Sequence, residues 1–136
     1  MLRLYSTKTH KPISQNFHSK EFACPCCDYA LIDMELIVVL EALRALVGKP
    51  VGIARGYSCP KHNESIPGAA TESKHLMGMA ADPYWDGMVM DLADKPFKIK
   101  VKQIHWSTSL MGIGWGKTKL HVDVDMTREK ITEWTY

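Results

Sequence analysis

No apolar run in the sequence approaches the ~20 residues that cross a bilayer. The opening stretch, MLRLYSTKTHKPISQNF, lacks the apolar core and small-residue cleavage pattern of a secretory leader. Synthesis in the cytosol, without membrane insertion, is the expectation. A charge excess is missing too, since 17 Lys and Arg stand against 15 Asp and Glu, a net charge of +2. Without a polybasic footprint, nucleic acid is not expected as the partner. There is no repeat, low-complexity tract or Gly/Pro-rich linker. At 136 residues one monomeric domain is expected, with no separate substrate-binding module. An apolar share of 46% with 24% charged residues excludes a disordered chain and a long coiled coil. Cysteine is scarce, yet three of the four crowd into Cys24-Pro25-Cys26-Cys27. Cys26 and Cys27 are adjacent, which disfavours a bridge between them. Cys24 can meet Cys59 as a disulfide, as half of a second metal site or as buried thiols, and all three stay open.

What is present reads as alternating helices and strands. Residues 1–13 carry charges and Pro12 without a period, and read as a loose N-terminal arm ahead of a domain over residues 14–136. A short helix is expected over Ser14–Phe22, then a tight loop at the cysteines. Asp33 is placed as an N-cap before Leu36, Val39, Leu40, Leu43 and Leu46, which recur at helical spacing until Gly48 and Pro50 stop the helix. Val51–Ala54 and Met79–Pro83 predict strands, with a loop and one helical turn between them. Met88–Lys95 and Ile99–Thr108 predict helices. Gly112–Gly116 and Leu120–Val124 predict two strands joined by a basic turn at Lys117–Lys119. A period of two in the last strand sets His121, Asp123 and Asp125 on one face and Leu120, Val122 and Val124 on the other. The sum is a small α+β domain.

Some polar residues do not look like surface. His75 and Asp82 are separated by a turn rich in small residues (Gly78, Ala80, Ala81), and His121 lies among apolar neighbours. Two imidazole nitrogens and a carboxylate oxygen suit Zn2+ and leave a fourth position for water. The bland alternative for each His is a packed structural residue. Asp123, on the His121 face, reads as a general base, with orientation of a ligand imidazole as its rival role. Asp125 lies about 7 Å further along the strand and ranks below it. Arg55 at a strand end is a candidate for steadying an oxyanion or clamping a carboxylate, against a surface ion pair. His10 and His18 read as surface or packing residues. His62 reads as a donor to a ligand or a polar loop residue, and His105 as a wall residue beside Trp106.

Taken in order, these residues resemble peptidase family M15, the zinc D-alanyl-D-alanine carboxypeptidases and peptidoglycan endopeptidases, in its short bacterial and phage-lysin branch. The opening Phe17 to Cys24, the helix end Leu40-Glu41-Ala42-Leu43-Arg44 running into Gly48-Lys49-Pro50, and Gly56-Tyr57 before Cys59-Pro60 and His62-Asn63 are similar to that branch. Ser73-x-His75-x-x-Gly78-x-Ala80-x-Asp82 is the most specific element. Gly112-Ile113-Gly114, His121-Val122-Asp123-Val124, Arg128 and Trp134 complete the pattern.

The resemblance implies an antiparallel sheet with flanking helices, as in these carboxypeptidases and in hedgehog domains. It implies one Zn2+ on His75, Asp82 and His121, with an acidic residue near the last ligand activating water. In several branches that acid sits three residues earlier, where this chain has Thr118, so Asp123 takes the part. The family loop Ser-Gly-Tyr-Arg is here Arg55-Gly56-Tyr57-Ser58, and Arg55 is expected to replace the displaced charge. Substrate contacts are expected from Arg55, Tyr57, Ser58, Ser73 and Trp115, with Tyr57, Trp85, Trp106 and Trp115 as candidate cleft aromatics. The implied activity is hydrolysis of peptidoglycan stem or cross-bridge peptides. The displaced arginine favours a lysin-type endopeptidase, released by a phage holin, over a D,D-carboxypeptidase. The alternative is a zinc-containing wall-binding or phage structural module without turnover.

Overall fold

Asp33 starts the longest helix. Its carboxylate accepts from the Glu35 N–H at 3.0 Å, and α1 (Met34–Val47) runs from there to Gly48, whose φ of 74° ends it. The computed structural model describes residues 1–6, 11–70 and 73–136. Leu36, Ile37, Val39, Leu40 and Leu43 form the buried face of α1 and pack with Phe17, Phe22, Ile113, Leu120 and Val122. Each such fully buried leucine stabilises the fold by about 2 kcal/mol. His10 lies outside the described residues.

Five strands form the main sheet, in the order β3-β4-β6-β5-β7. They are β3 (Gly52–Arg55), β4 (Ala80–Tyr84), β5 (Gly112–Trp115), β6 (Leu120–Asp123) and β7 (Thr132–Thr135). The expectation of an antiparallel sheet needs correction: β7 pairs parallel to β5, with Gly112 opposite Thr132 and Trp115 opposite Thr135. β6 already fills one edge of β5 and ends beside Gly112. The short connection 124–131 stays at that end, so the chain re-enters in the direction of β5. The sheet is mixed, and its strand order shows neither a closed barrel nor a feature particular to hedgehog domains.

Leu2–Ser6, inside the stretch read as a loose arm, is strand β1. It pairs antiparallel with β2 (Tyr29–Asp33) in a separate two-stranded sheet. The expected helix over Ser14–Phe22 contracts to a 3-10 turn at Ser19–Phe22. The remaining helices are α2 (Pro60–Ser65), α3 (Met88–Ala93) and α4 (Lys95–Gln103), the last leading into a 3-10 turn at Ile104–Trp106. Gly78 closes the turn before β4 with a φ of 70°, and a Cβ there would lie 2.4 Å from the Leu31 carbonyl oxygen.

Candidate metal centre

Strand register builds the centre. Arg55 on β3 is opposite Asp82 on β4. The pairing of Ala80 with Asp123 and Ala81 with Val122 carries Asp82 to the level of His121 on β6. His121 is in turn opposite Gly114 on β5, and Gly114 is opposite Trp134 on β7. Cross-strand partners share a face, so one row, Arg55–Asp82–His121–Gly114–Trp134, crosses all five strands. Gly114 has no side chain, and the Trp134 ring reaches to 5.4 Å from the His121 ring.

His75 joins this row from a 3-10 turn at Lys74–Met77, where the Ser73 hydroxyl accepts from the His75 N–H at 3.3 Å. Asp82 Oδ1 is 3.4 Å from His75 Nε2 and 3.2 Å from His121 Nδ1. All three side chains are buried, and their donor atoms lie within 4.8 Å of one another.

The outer nitrogen of each imidazole is occupied. His75 Nδ1 is 2.8 Å from the Gly56 carbonyl oxygen, which can only accept, so that nitrogen carries the proton. His121 Nε2 lies 3.1 Å from Asp123 Oδ2 and donates to it by the same reasoning. With the outer nitrogens protonated, each imidazole turns its other nitrogen toward Asp82 Oδ1, where either a shared proton or a cation bridges the acceptors. The donor set fits Zn2+, with a backbone carbonyl and a carboxylate fixing the ring orientations from behind.

Protons and a metal ion compete for these inner atoms. Burial alone would raise the Asp82 pKa, but hydrogen bonds with His121 and His75 outweigh it and hold the carboxyl well below the usual carboxylate range. Burial pushes His75 below an ordinary histidine, and the nearby Arg55 and His121 charges act in the same direction against the pull of Asp82. Burial acts likewise on His121, but the flanking Asp123 and Asp82 carboxylates win and raise it.

Asp123 is fully buried on the far side of His121 from Asp82. Its carboxylate takes bonds from His121 and from Arg128 Nη2 at 3.1 Å, and the Asp125 N–H at 3.2 Å. A Cβ on Gly112 would lie 2.2 Å from that carboxylate, so the absent side chain is what admits it. Asp125 is engaged by Lys74 at 3.2 Å and Thr127.

The Arg55 guanidinium is half-buried and fixed, with Nε donating to Ser58 Oγ at 3.2 Å and Nη2 to Asn63 Oδ1 at 3.0 Å. Ser58 is fully buried, and its N–H donates to the His75 carbonyl at 3.2 Å. Ser73 is occupied in capping the His75 turn.

The expected cleft aromatics scatter. Trp115 points to the other side of the sheet from His121, level with the core residue Leu120, and bonds Glu133. Trp85 is a core residue bonded to Asp91. Trp106 is exposed beside His105. Tyr57 packs against the core, with the cysteines nearby. His62 sits half-exposed on α2.

Sequence reasoning gave no site role to the groups that do border the triad. Lys119 Nζ is 3.6 Å from Asp82 Oδ2 and lies over the Tyr136 ring at 4.7 Å. Trp134 and the Tyr136 hydroxyl both converge on Gly114. The alternation of Thr132-Glu133-Trp134-Thr135-Tyr136 carries the signal for this, because a period of two puts both aromatics on one face.

A family model described as Peptidase M15 matches residues 15–125, a span that holds all three triad residues. No curated protein and no solved structure matches the chain.

Proposed function

The chain belongs to the M15 peptidase family, and we propose that it is a zinc-dependent hydrolase of amide bonds in peptidoglycan stem or cross-bridge peptides. The observation that carries this reading is the buried convergence of His75 Nε2, Asp82 Oδ1 and His121 Nδ1, with both outer imidazole nitrogens tied. These three atoms would hold Zn2+, which when bound would supply Lewis acidity toward a scissile carbonyl and a lowered pKa for water.

The chain's own residues divide the remaining work. The Gly56 carbonyl and Asp123 keep the two imidazoles in the ligating tautomer. Arg55 presents a fixed positive charge on the row next to Asp82, suited to an anionic oxygen of the reacting amide or to a substrate carboxylate. Ser58 and Asn63 hold Arg55 in place, and Ser73 holds His75. Lys119 adds a second, half-exposed cation beside Asp82, and Trp134 and Tyr136 border the same space. Asp123 acts through His121 in this scheme, because a base role needs it to give up its bonds to both His121 and Arg128.

Endopeptidase action of the lysin type is the preferred form, with the wall reached through a holin, because the arginine that ends the family loop is here displaced to Arg55 at its start. A second reading is favoured by the same placement of Asp123. Among the described residues it is the one further carboxylate bonded to the triad, and with that carboxylate engaged the centre suits a zinc-containing wall-binding module without turnover. Digestion of defined peptidoglycan by zinc-loaded protein, with products identified by mass spectrometry, tests both. New stem-peptide or cross-bridge fragments are expected; intact peptidoglycan with zinc bound to the protein selects the binding module.

A further inference from the structure

The cysteines build a second cluster, separate from the triad. The Sγ atoms of Cys24, Cys27 and Cys59 lie within 4.8 Å of one another. Cys26 Sγ is 2.9 Å from Cys59 Sγ and 3.5 Å from Cys24 Sγ. Zn–S bonds of about 2.3 Å place tetrahedral sulfurs about 3.8 Å apart, so Cys24, Cys27 and Cys59 lie near the spacing of one coordination shell, with Cys26 in contact with two of them. The Cys59 N–H donates to Cys24 Sγ at 3.4 Å, a contact that favours thiolate. We propose that Cys24, Cys26, Cys27 and Cys59 form a second metal site, holding one Zn2+ through sulfur.

Four sulfurs this close ionise together only around a cation, each thiol releasing its proton to solvent as metal binds. A disulfide between Cys26 and Cys59 is the rival, and it leaves Cys24 and Cys27 unused.

Such a metal has a structural task. It joins the segment after Phe22 to the loop following Arg55, and both ends of that loop bear on the other centre. The Tyr57 N–H bonds the Phe22 carbonyl at 3.0 Å, the Ser58 N–H bonds the His75 carbonyl, and the Gly56 carbonyl holds His75 Nδ1 at 2.8 Å. A Cβ on Gly56 would meet Phe22 Cα at 2.7 Å, so the two segments are already in close contact. The cysteine-bound ion is thus a clamp on the loop that orients a ligand of the first.

The double variant His75→Ala/His121→Ala removes the first centre and isolates the question from the peptidase reading. It is expected to retain one zinc per chain by elemental analysis after chelator-free gel filtration. Cobalt substitution is expected to give thiolate-to-metal charge-transfer absorption, and iodoacetamide to label the cysteines only after chelation. Adding Cys24→Ser and Cys59→Ser is expected to abolish the remaining zinc. If that variant does not fold, the cobalt spectrum and alkylation of the double variant still decide. Absence of the charge-transfer band with freely alkylated thiols overturns the proposal, as does a non-reducing mass lighter by two hydrogens with a Cys26–Cys59 cross-linked peptide.

Discussion

Asp123 Oδ2 lies 3.1 Å from His121 Nε2, the ring nitrogen turned away from Asp82. The two residues are neighbours on the same face of β6, so the strand's period of two brings them together without help from the rest of the fold. Arg128 then fixes the carboxylate from its other side. The pair makes His121 a preset donor.

Asp123→Asn is therefore expected to weaken zinc binding by about 10–100-fold, the usual effect of removing an outer partner of a ligand histidine. Titration with a competing chelator measures this. Hydrolysis is expected to return near the parent rate at saturating zinc. A turnover defect that excess zinc leaves untouched assigns Asp123 the base role instead.

Arg55→Ala is expected to lower kcat/KM by about 10²–10³-fold, the size of losing one oxyanion donor, with zinc content unchanged. Ser58→Ala removes only a support of Arg55, so a smaller loss is expected. Steady-state kinetics of both variants on one defined muropeptide checks the order.

Gly112→Ala places a methyl 2.2 Å from the Asp123 carboxylate. Overpacking of this kind costs about 1–3 kcal/mol. Displacement of the carboxylate should also weaken zinc affinity. Denaturant unfolding together with the chelator titration separates this double effect from simple destabilisation.

Glu41 predicts an acid-sensitive contact remote from the metal. Burial raises its pKa, but Asn16 and Ser14 outweigh this, the Ser14 hydroxyl donating at 2.6 Å and the Asn16 N–H at 2.9 Å, so the carboxyl is lowered. A lowered folded pKa stabilises above the unfolded value, about 4.3, and the contribution fades as pH falls through the folded one. Glu41→Gln is expected to cost about 1 kcal/mol at neutral pH. The Tm gap to the parent protein should close in acid.

The parts written in local chemistry were legible in the sequence. Asp33 and Gly48 bracket α1 because capping is a property of a few adjacent residues. The Ser73 to Asp82 pattern carries its turn in its own small residues. Relations between distant segments were not legible. Nothing near Trp115 in the sequence says that its face is set by Leu120 across the sheet, so the sequence alone does not exclude it from a cleft. β7 was missed because a four-residue alternation is weak until β5 offers an open edge. The arm at Leu2–Ser6 looked unpatterned because β1 is mostly exposed and is held by its pairing with β2. Asp123 could be placed on the His121 face, but its distance from Arg128 came only with the fold.

The row Arg55–Asp82–His121–Gly114–Trp134 takes one residue from each of five strands, spread over most of the chain. The geometry of His75, Asp82 and His121 exists only in the folded sheet, so the unfolded chain binds an ion at these three residues weakly. Zinc then acts as a thermodynamic ratchet on the native state, adding RT ln(1 + [Zn]/Kd), or about 2.7 kcal/mol at a hundredfold excess over Kd. The unfolding midpoint should climb with the logarithm of free zinc. The many long-range pairings that must form first also make folding slow relative to a helical domain of this size. Metal availability after that interval sets how much of the chain stays in its working form.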